Sequence, residues 1–498
     1  MLDTSILTLV TFVPAAGALI VALLPRQGRI IQWFTLLVTL VTFGLTLHLP
    51  AHYIYRQTGF QFEVNIPWIA SPAIRYHLGV DGISLWLVVL TGFLAPLGVL
   101  ASWKAINHRT KEFYFFFLLQ QTAMFGVFIA LDLFLYYAFW ELTLVPMAIL
   151  IAMFGRDRGA EAAIKFFVYT FLPSALLLVG IVWLYAKTGT FDFVRMQEIL
   201  AQNPLPAQAM LWASLAFLVS FAVKVPMFPL HGWLSDALSE APTAMAMVLA
   251  GKLGIYSILR FNLGLFPAQA RLVAPWMIAL AVIGILYGAL VALVQKDLKR
   301  LVAFSTVSHL SFCILGIFCF AVSGVDGALY QTVNEGVSAG ALFLLLGFMY
   351  ERYATYDIAS YGGLAKRMPR LATLFVVTSL SLVGLPLMNG FVGEFLILSG
   401  SFAGHVAWVS AATVGVILSA TYMLWMVQRV FYGSESGMVT DLTVADVGFR
   451  EQVAVWPMAV IMLVMGVASP YWIRAIDEAA VQLTAPAPEA GLGMAAKP

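Results

Sequence analysis

The sequence predicts an all-α polytopic membrane protein of about fourteen transmembrane helices, with two inverted five-helix repeats that each contain a broken helix. Three observations carry that prediction. The 498 residues are 61% hydrophobic and only 10% charged, with a mean hydropathy of +0.92, a composition that belongs to a bundle in lipid rather than to a water-soluble domain. Apolar runs of membrane length recur along the chain. Two of those runs are interrupted by proline close to a lone charge, at Lys224 and at Glu394.

Taken in order, the apolar runs fall near 4–24, 30–48, 82–102, 112–130, 132–153, 164–186, 209–229, 243–263, 274–294, 301–321, 327–350, 370–399, 407–431 and 452–472. The first follows Met-Leu-Asp directly, without the basic stretch and cleavage site of a signal peptide, and reads as a retained helix. In the long connection 49–81, Trp68 and Tyr76 read as interfacial anchors. The seventh run holds Lys224 and is broken by Pro226 and Pro229; the twelfth holds Glu394 and is broken by Pro386, Asn389 and Gly390. Proline removes a backbone donor and frees a carbonyl, which hydrocarbon cannot satisfy and a water-filled cavity can. Pro226 and Pro386 lie 160 residues apart, on runs separated by five, so two five-helix units would sit in opposite orientations. The chain then divides into residues 1–111 (three helices and the outer loop), a first repeat 112–263, a second repeat 274–431, and residues 452–498 with a last helix and tail.

Basic residues set the orientation. Sixteen Lys and Arg residues fall on one set of alternate connections, among them Arg26, Lys104, Arg156, Lys299 and Arg352, against eight on the other, among them Arg75, Arg260 and Arg474. That asymmetry places both termini outside the cytoplasm. A net charge of +2 gives no reason to expect nucleic acid as a partner. Cys313 and Cys319 form no C-x-x-C pair, and neither a dinucleotide fingerprint nor a phosphate-binding loop is present. The driving energy is therefore captured elsewhere or comes from an ion gradient.

The buried charges carry the chemistry. An ammonium at bilayer depth costs about 3 kcal/mol even on lenient scales, so Lys224 needs a partner or a wet cavity; the plainer alternative is a lysine that snorkels to the interface. Glu141 lies about two turns from either end of the fifth run. Two unit charges about 7 Å apart at an effective dielectric near 20 interact by roughly 2.4 kcal/mol, so moving one proton resets the affinity of its neighbour. A static ion pair of Glu141 with Lys224 is the competing reading. Lys252, flanked by Gly251 and Gly254 in the eighth run, suits a relay, and His309, at the start of the tenth, either relays protons or bonds a helix-end carbonyl. Glu335 adds a further intramembrane carboxylate. His231, Asp236 and Glu240 read as solvated charges at the cytoplasmic mouth, Lys165 as either a cavity contact or a snorkelling side chain, and Lys296, Asp297, Lys299 and Arg300 as an orientation signal first. No pair of these groups has metal-ligand spacing, and no nucleophile has a base. A lateral polar axis through Glu141, Lys224, Lys252, His309 and Glu394 is the economical arrangement, with protons moving through water between them.

Several stretches carry a family resemblance: Gly79-Val-Asp-Gly-Ile-Ser-Leu, Phe139-Trp-Glu-Leu-Thr-Leu-Val-Pro-Met, Ala222-Val-Lys-Val-Pro-Met-Phe-Pro-Leu-His-Gly-Trp-Leu, Glu240-Ala-Pro-Thr and Lys299-Arg-Leu-Val-Ala-Phe-Ser-Thr-Val-Ser-His. Together they resemble the antiporter-like subunits of respiratory complex I, a family related to Mrp-type cation/proton antiporter subunits. The glutamate in Phe391-Val-Gly-Glu-Phe and the short C-terminal tail resemble one branch of it. The resemblance implies proton translocation coupled to quinone reduction in partner subunits, with no cofactor or metal on this chain and with FMN, iron-sulfur clusters and quinone in the partners. It implies L-like and N-like antiporter subunits on either side, in a bacterial inner membrane. It also implies that Glu141 and Lys224 are a coupled pair, Lys252 a central relay, His309 a link and Glu394 an exit-side carboxylate. The chain departs from the family at Glu335-Gly336, where His-Gly is usual, and in a shorter spacing before Lys252. An Mrp-type Na⁺/H⁺ antiporter subunit, a membrane subunit of a related hydrogenase complex, and a scaffold whose charges only fix helix packing are the alternative readings.

Overall fold

The computed structural model describes residues 3–249, 252–441 and 444–485. Among them, thirteen spans are long and apolar enough to cross a membrane: Ile6–Leu23, Gly28–His52, Leu85–Ala105, Thr110–Ile129, Leu133–Phe154, Gly159–Thr188, Ala207–Lys224, Thr243–Leu263, Pro267–Leu293, Leu298–Phe318, Val322–Tyr353, Val406–Phe431 and Phe449–Val467. Pro369–Val383 followed by Asn389–Phe402 supplies the remaining crossing, broken at Pro386, so the fourteen runs of the sequence are fourteen crossings. Val322–Tyr353, the eleventh crossing, is buried from residue 324 to residue 349, whereas the sixth (Gly159–Thr188) and thirteenth (Val406–Phe431) leave most of their apolar side chains outward, as lipid contact requires.

The two repeats leave a backbone signature. The segments around Asp132 and Asp192 are joined by two hydrogen bonds, Leu133 N to Phe191 O and Phe193 N to Leu131 O, both 2.8 Å; Leu298 N to Tyr356 O and Ile358 N to Lys296 O, both 2.9 Å, join the segments around Asp297 and Asp357 in the same way. Asp132, Asp192, Asp297 and Asp357 each cap the helical segment that follows, accepting backbone N–H groups. Asp132 faces Asp192, and Asp297 faces Asp357. In each case the second residue is 165 positions from its counterpart, and the intervening odd number of crossings puts the two pairs at opposite ends of the bundle. That is inversion, with a register five residues longer than the spacing of the broken helices.

Several helices break where a proline withholds its N–H. The fifth crossing divides into Leu133–Leu142 and Leu144–Phe154, three residues before Pro146 meets it, so Glu141 sits beside an interruption not foreseen in the sequence. The eighth ends in a π-helical turn, Ile258–Leu263, that carries Arg260. Gly251, one of the two glycines expected beside Lys252, lies outside the described residues.

Two further elements occupy one end of the bundle. An antiparallel hairpin pairs Gln61–Ile69 with Ile74–Val80, where the sequence offered only a connection. Trp68 is exposed there, but Tyr76 is no free anchor, because its hydroxyl donates to Thr8 Oγ1 at 3.0 Å. Ser469–Thr484 forms a helix where a tail was expected, and it packs against the same end. Gly82 is required by that packing: a Cβ would overlap the carbonyl oxygen of Ala475.

Candidate functional site

The break in the seventh crossing places Lys224 as the last residue of its helix. Met227 N takes the carbonyl of Ala222 at 2.9 Å, and the indole N–H of Trp233 donates to Val223 O at 2.9 Å, so the carbonyls freed by Pro226 are satisfied inside the protein. The ammonium of Lys224 is buried, with Nζ 5.3 Å from the Trp140 ring centroid and 5.4 Å from that of Phe166. Both rings offer it a negative face. It does not snorkel. Glu141 is half-buried, one residue from Trp140, and its Oε1 has no protein partner. Glu141 and Lys224 are thus neighbours across Trp140 and not a closed ion pair.

Lys252 is buried, and its Nζ donates to Met247 O at 3.2 Å. With Lys224 it lines a cavity of about 20 Å³ to which Gln120, Thr143 and Trp233 also contribute. On its other side the eleventh crossing comes close at Gly336: a Cβ there would lie 2.6 Å from Lys252 Cε and 3.3 Å from Nζ. Glycine at this position is what lets the lysine reach the second repeat. Glu335, the neighbouring residue, is 1% exposed and neither carboxylate oxygen has a hydrogen-bond partner.

His309 lies in the middle of Leu298–Phe318, not at its start, and bonds no helix-end carbonyl. Its Nε2 faces Ser419 Oγ at 3.2 Å and the Tyr422 hydroxyl at 3.3 Å, and that hydroxyl in turn donates to Ser305 Oγ at 2.9 Å. Its Nδ1 faces Glu335 Oε2 at 3.5 Å and Glu394 Oε1 at 3.9 Å. These separations are longer than a formed hydrogen bond, so a small movement or one water closes either contact. Glu394 is buried in the second half of the broken twelfth crossing. Gly384, left-handed with φ +77°, ends the first half, and a Cβ on it would come within 3.0 Å of Glu394 Oε2. An amide and hydroxyl network holds the break open: Asn334 Nδ2 donates to Asn389 O at 2.8 Å, and Ser338 and Ser381 meet at 2.7 Å.

The structure brings Lys224, Lys252, Glu335, His309 and Glu394 into one buried succession, with Glu141 at its half-buried end. It removes other candidates from it. His231 is not a solvated mouth residue; its ring is buried against Tyr287 at 5.0 Å and Phe228 at 5.8 Å. Asp236 and Glu240 belong to a helix, Gly232–Glu240, and not to a loop. Lys165 is not among the residues lining the cavity: its side chain is partly exposed and pairs with Asp236 at 2.6 Å, and Arg300 pairs with the other oxygen of Asp236. Lys299 is 1% exposed and donates to the carbonyls of Ser239 and Ala241, capping that helix. The basic cluster before the tenth crossing therefore straps the second repeat to the broken helix of the first.

Sequence reading missed a buried pair at the hairpin end. Arg260 donates to both oxygens of Asp81, with Nη1 to Oδ2 at 2.7 Å, and its side chain stacks near Phe60 at 4.9 Å. This bidentate pair explains Asp81 in the Gly79-Val-Asp-Gly motif. The signal available was an arginine in an apolar run with no carboxylate within a turn. Gln120 and Gln121, adjacent amides in a run rich in phenylalanine, were missed too. Among the described residues, no group of three or more His, Cys, Asp or Glu side chains is placed to hold a metal ion.

Comparison with known proteins bears on the whole length. Residues 130–419 match the family described as NADH:quinone oxidoreductase/Mrp antiporter, TM, and residues 10–138 match NADH-ubiquinone oxidoreductase chain 4, amino terminus. The chain is 42% identical over 483 residues to NADH-quinone oxidoreductase subunit M of Rhodobacter capsulatus, covering 93% of each. It superposes on a chain of respiratory complex I from Thermus thermophilus with a TM-score of 0.87 and 30% identity, covering 96% of this chain and 99% of that one. A chain of the Mrp complex from Dietzia has the same fold, with a TM-score of 0.86 at 21% identity. Matched along nearly all of its length, the chain belongs to the subunit M (chain 4) family of antiporter-like membrane subunits of NADH:quinone oxidoreductase.

Proposed function

We propose that this chain is a proton-translocating membrane subunit of NADH:quinone oxidoreductase, and that Glu141, Lys224, Lys252, Glu335, His309 and Glu394 carry the proton across the middle of the bundle in that order. The observation that carries the reading is the shared burial of five ionisable side chains between two helix breaks, with Lys224 and Lys252 on one cavity and His309 between two carboxylates. Groups so placed are expensive in lipid and are kept where charge moves. The uncommitted contacts at 3.5 and 3.9 Å favour a relay over a locked ion pair. Glu335 replaces the usual histidine as the link between Lys252 and His309. His231 and Lys165 play no direct part.

Residues 112–263 and 274–431 are the two transport units, each holding half of the relay. The redox chemistry, with FMN, iron-sulfur clusters and quinone, resides in partner subunits, and L-like and N-like subunits flank the chain in a bacterial inner membrane. The excess of Lys and Arg at the end opposite the hairpin supports a cytoplasmic position for that end and an outer position for the termini. An Mrp-type Na⁺/H⁺ antiporter subunit is the weaker reading, because residues 10–138 and the relative at 42% identity point to NADH-quinone oxidoreductase, whereas the Mrp chain is 21% identical.

The test is reconstitution of the assembled complex in vesicles with Glu141→Ala or Lys224→Ala. Proton uptake per NADH oxidised should fall by roughly tenfold while the complex stays whole. Full pumping by both variants would leave only a scaffold role.

A further inference from the structure

Two cavities meet at the side chain of Gln120. The first, of about 20 Å³, lies between Lys224 and Lys252. The second, also about 20 Å³, is lined by Thr91, Gln120, Gln121 and Lys252. Each volume is that of about one water molecule. Gln120 is 3% exposed, and its Oε1 meets no protein donor. An amide oxygen so buried strongly favours a guest that donates to it. The other polar groups of the first cavity are already engaged: Thr143 Oγ1 donates to Trp140 O at 2.7 Å, and the Trp233 indole donates to Val223 O. Lys224, Lys252 and Gln120 thus share one water-sized space, where Lys252 Nζ donates to Met247 O and Gln120 Oε1 has no protein partner.

We propose that Gln120 is a positioning residue of the relay, whose Oε1 holds and orients a water between Lys224 and Lys252. The inference rests on the proton-relay reading above. In the step it serves, the N–H bond of the Lys224 ammonium breaks as the water oxygen takes that proton. One O–H bond of the same water breaks as its proton passes to the lone pair of a neutral Lys252 amine. The water ends as water, and one positive charge has moved from Lys224 to Lys252. The second O–H stays on Gln120 Oε1 throughout, which aims the first at Lys252 and leaves the oxygen lone pairs toward Lys224. Without that acceptor the water is free to turn, and the productive alignment is rarer. Gln121, whose amide nitrogen and oxygen also lack protein partners, lines the second cavity and not the first.

The experiment compares the whole complex in vesicles with Gln120→Met, which keeps length without an acceptor, and Gln120→Asn, which keeps a neutral amide oxygen. Lys224→Ala and Lys252→Ala run alongside, and Gln120→Leu is the second apolar variant should the first fail to assemble. Proton uptake per NADH oxidised should fall roughly tenfold in Gln120→Met and return to within about threefold of wild type in Gln120→Asn. Normal pumping by Gln120→Met beside impaired lysine variants would overturn the role of Gln120 and leave the relay standing. Equal loss in the Met and Asn variants would make Gln120 a packing residue and overturn it as well. Normal pumping by every variant would remove the relay itself.

Discussion

Lys224, at the break of the seventh crossing, and Lys252, in the eighth, line one cavity of about 20 Å³. Two ammonium groups around so small a space repel, which favours one proton shared between them over two held separately. Arginine in place of Lys224 keeps a positive charge but does not give up its proton. Lys224→Arg should assemble normally and pump at about a tenth of the wild-type rate or less, measured as proton uptake into vesicles against NADH oxidation. Wild-type pumping would mean that a fixed charge suffices.

Gly336 sets where Lys252 stands. The Cβ of Gly336→Ala would fall 2.6 Å from Lys252 Cε and 2.5 Å from Leu90 Cδ2, both side-chain ends that can give way. The fold should therefore survive while Lys252 is displaced, and pumping should drop by at least about fivefold. Gly340→Ala, one turn on, would press first on the flexible side chains of Met247 and Met458 and serves as the comparison. Equal pumping by both alanine variants would show that the position of Lys252 is not critical.

The Asp81–Arg260 pair is a stability feature. Removing one partner leaves the other charge buried and unpaired, at a cost of about 3–5 kcal/mol. Asp81→Ala should lower the thermal midpoint of the purified complex or the yield of assembled complex. The double variant Asp81→Leu with Arg260→Met, which buries no charge, should recover much of that loss. A double variant as unstable as the single would show that the unpaired charge is not the source of the loss.

At the hairpin end His77 holds Glu63 at 2.9 Å through Nε2 and Asp192 through Nδ1, docking the hairpin on the sixth-to-seventh connection. Burial pushes the Asp192 carboxyl up, but hydrogen bonds from His77 and from the Arg195 N–H outweigh it and leave Asp192 below its ordinary value. A carboxyl lowered by folding adds stability that is present above its unfolded value and is lost as pH falls through the folded one. Hairpin protection over residues 61–80, read by hydrogen exchange, should weaken in wild type below about pH 4. In Asp192→Asn it should be weaker at neutral pH and change less in acid. An unchanged acid profile in that variant would assign the effect to another group.

The parts of this structure that could be read from sequence are those with local signals. Lys224 beside Pro226 and Glu394 after Pro386 announce themselves, because a charge and a missing N–H are each costly in an apolar run. Arg260 was counted with the connections because its partner Asp81 lies 179 residues away. Lys299 has the sequence context of an orientation signal, and only the fold buries it against the carbonyls of Ser239 and Ala241. Gln120 carries no charge to mark it, and its role depends on two cavities that only packing creates. The helix Ser469–Thr484 was invisible because an amphipathic surface helix is far less apolar than a span.

In the proposed relay, protons pass between the repeats through Lys252. The most direct measurement is proton uptake by vesicles containing the intact complex with Lys252→Met, against its rate of NADH oxidation. Uptake reduced by at least about tenfold, in a complex of wild-type composition, is the predicted result. Uptake at the wild-type rate would contradict it.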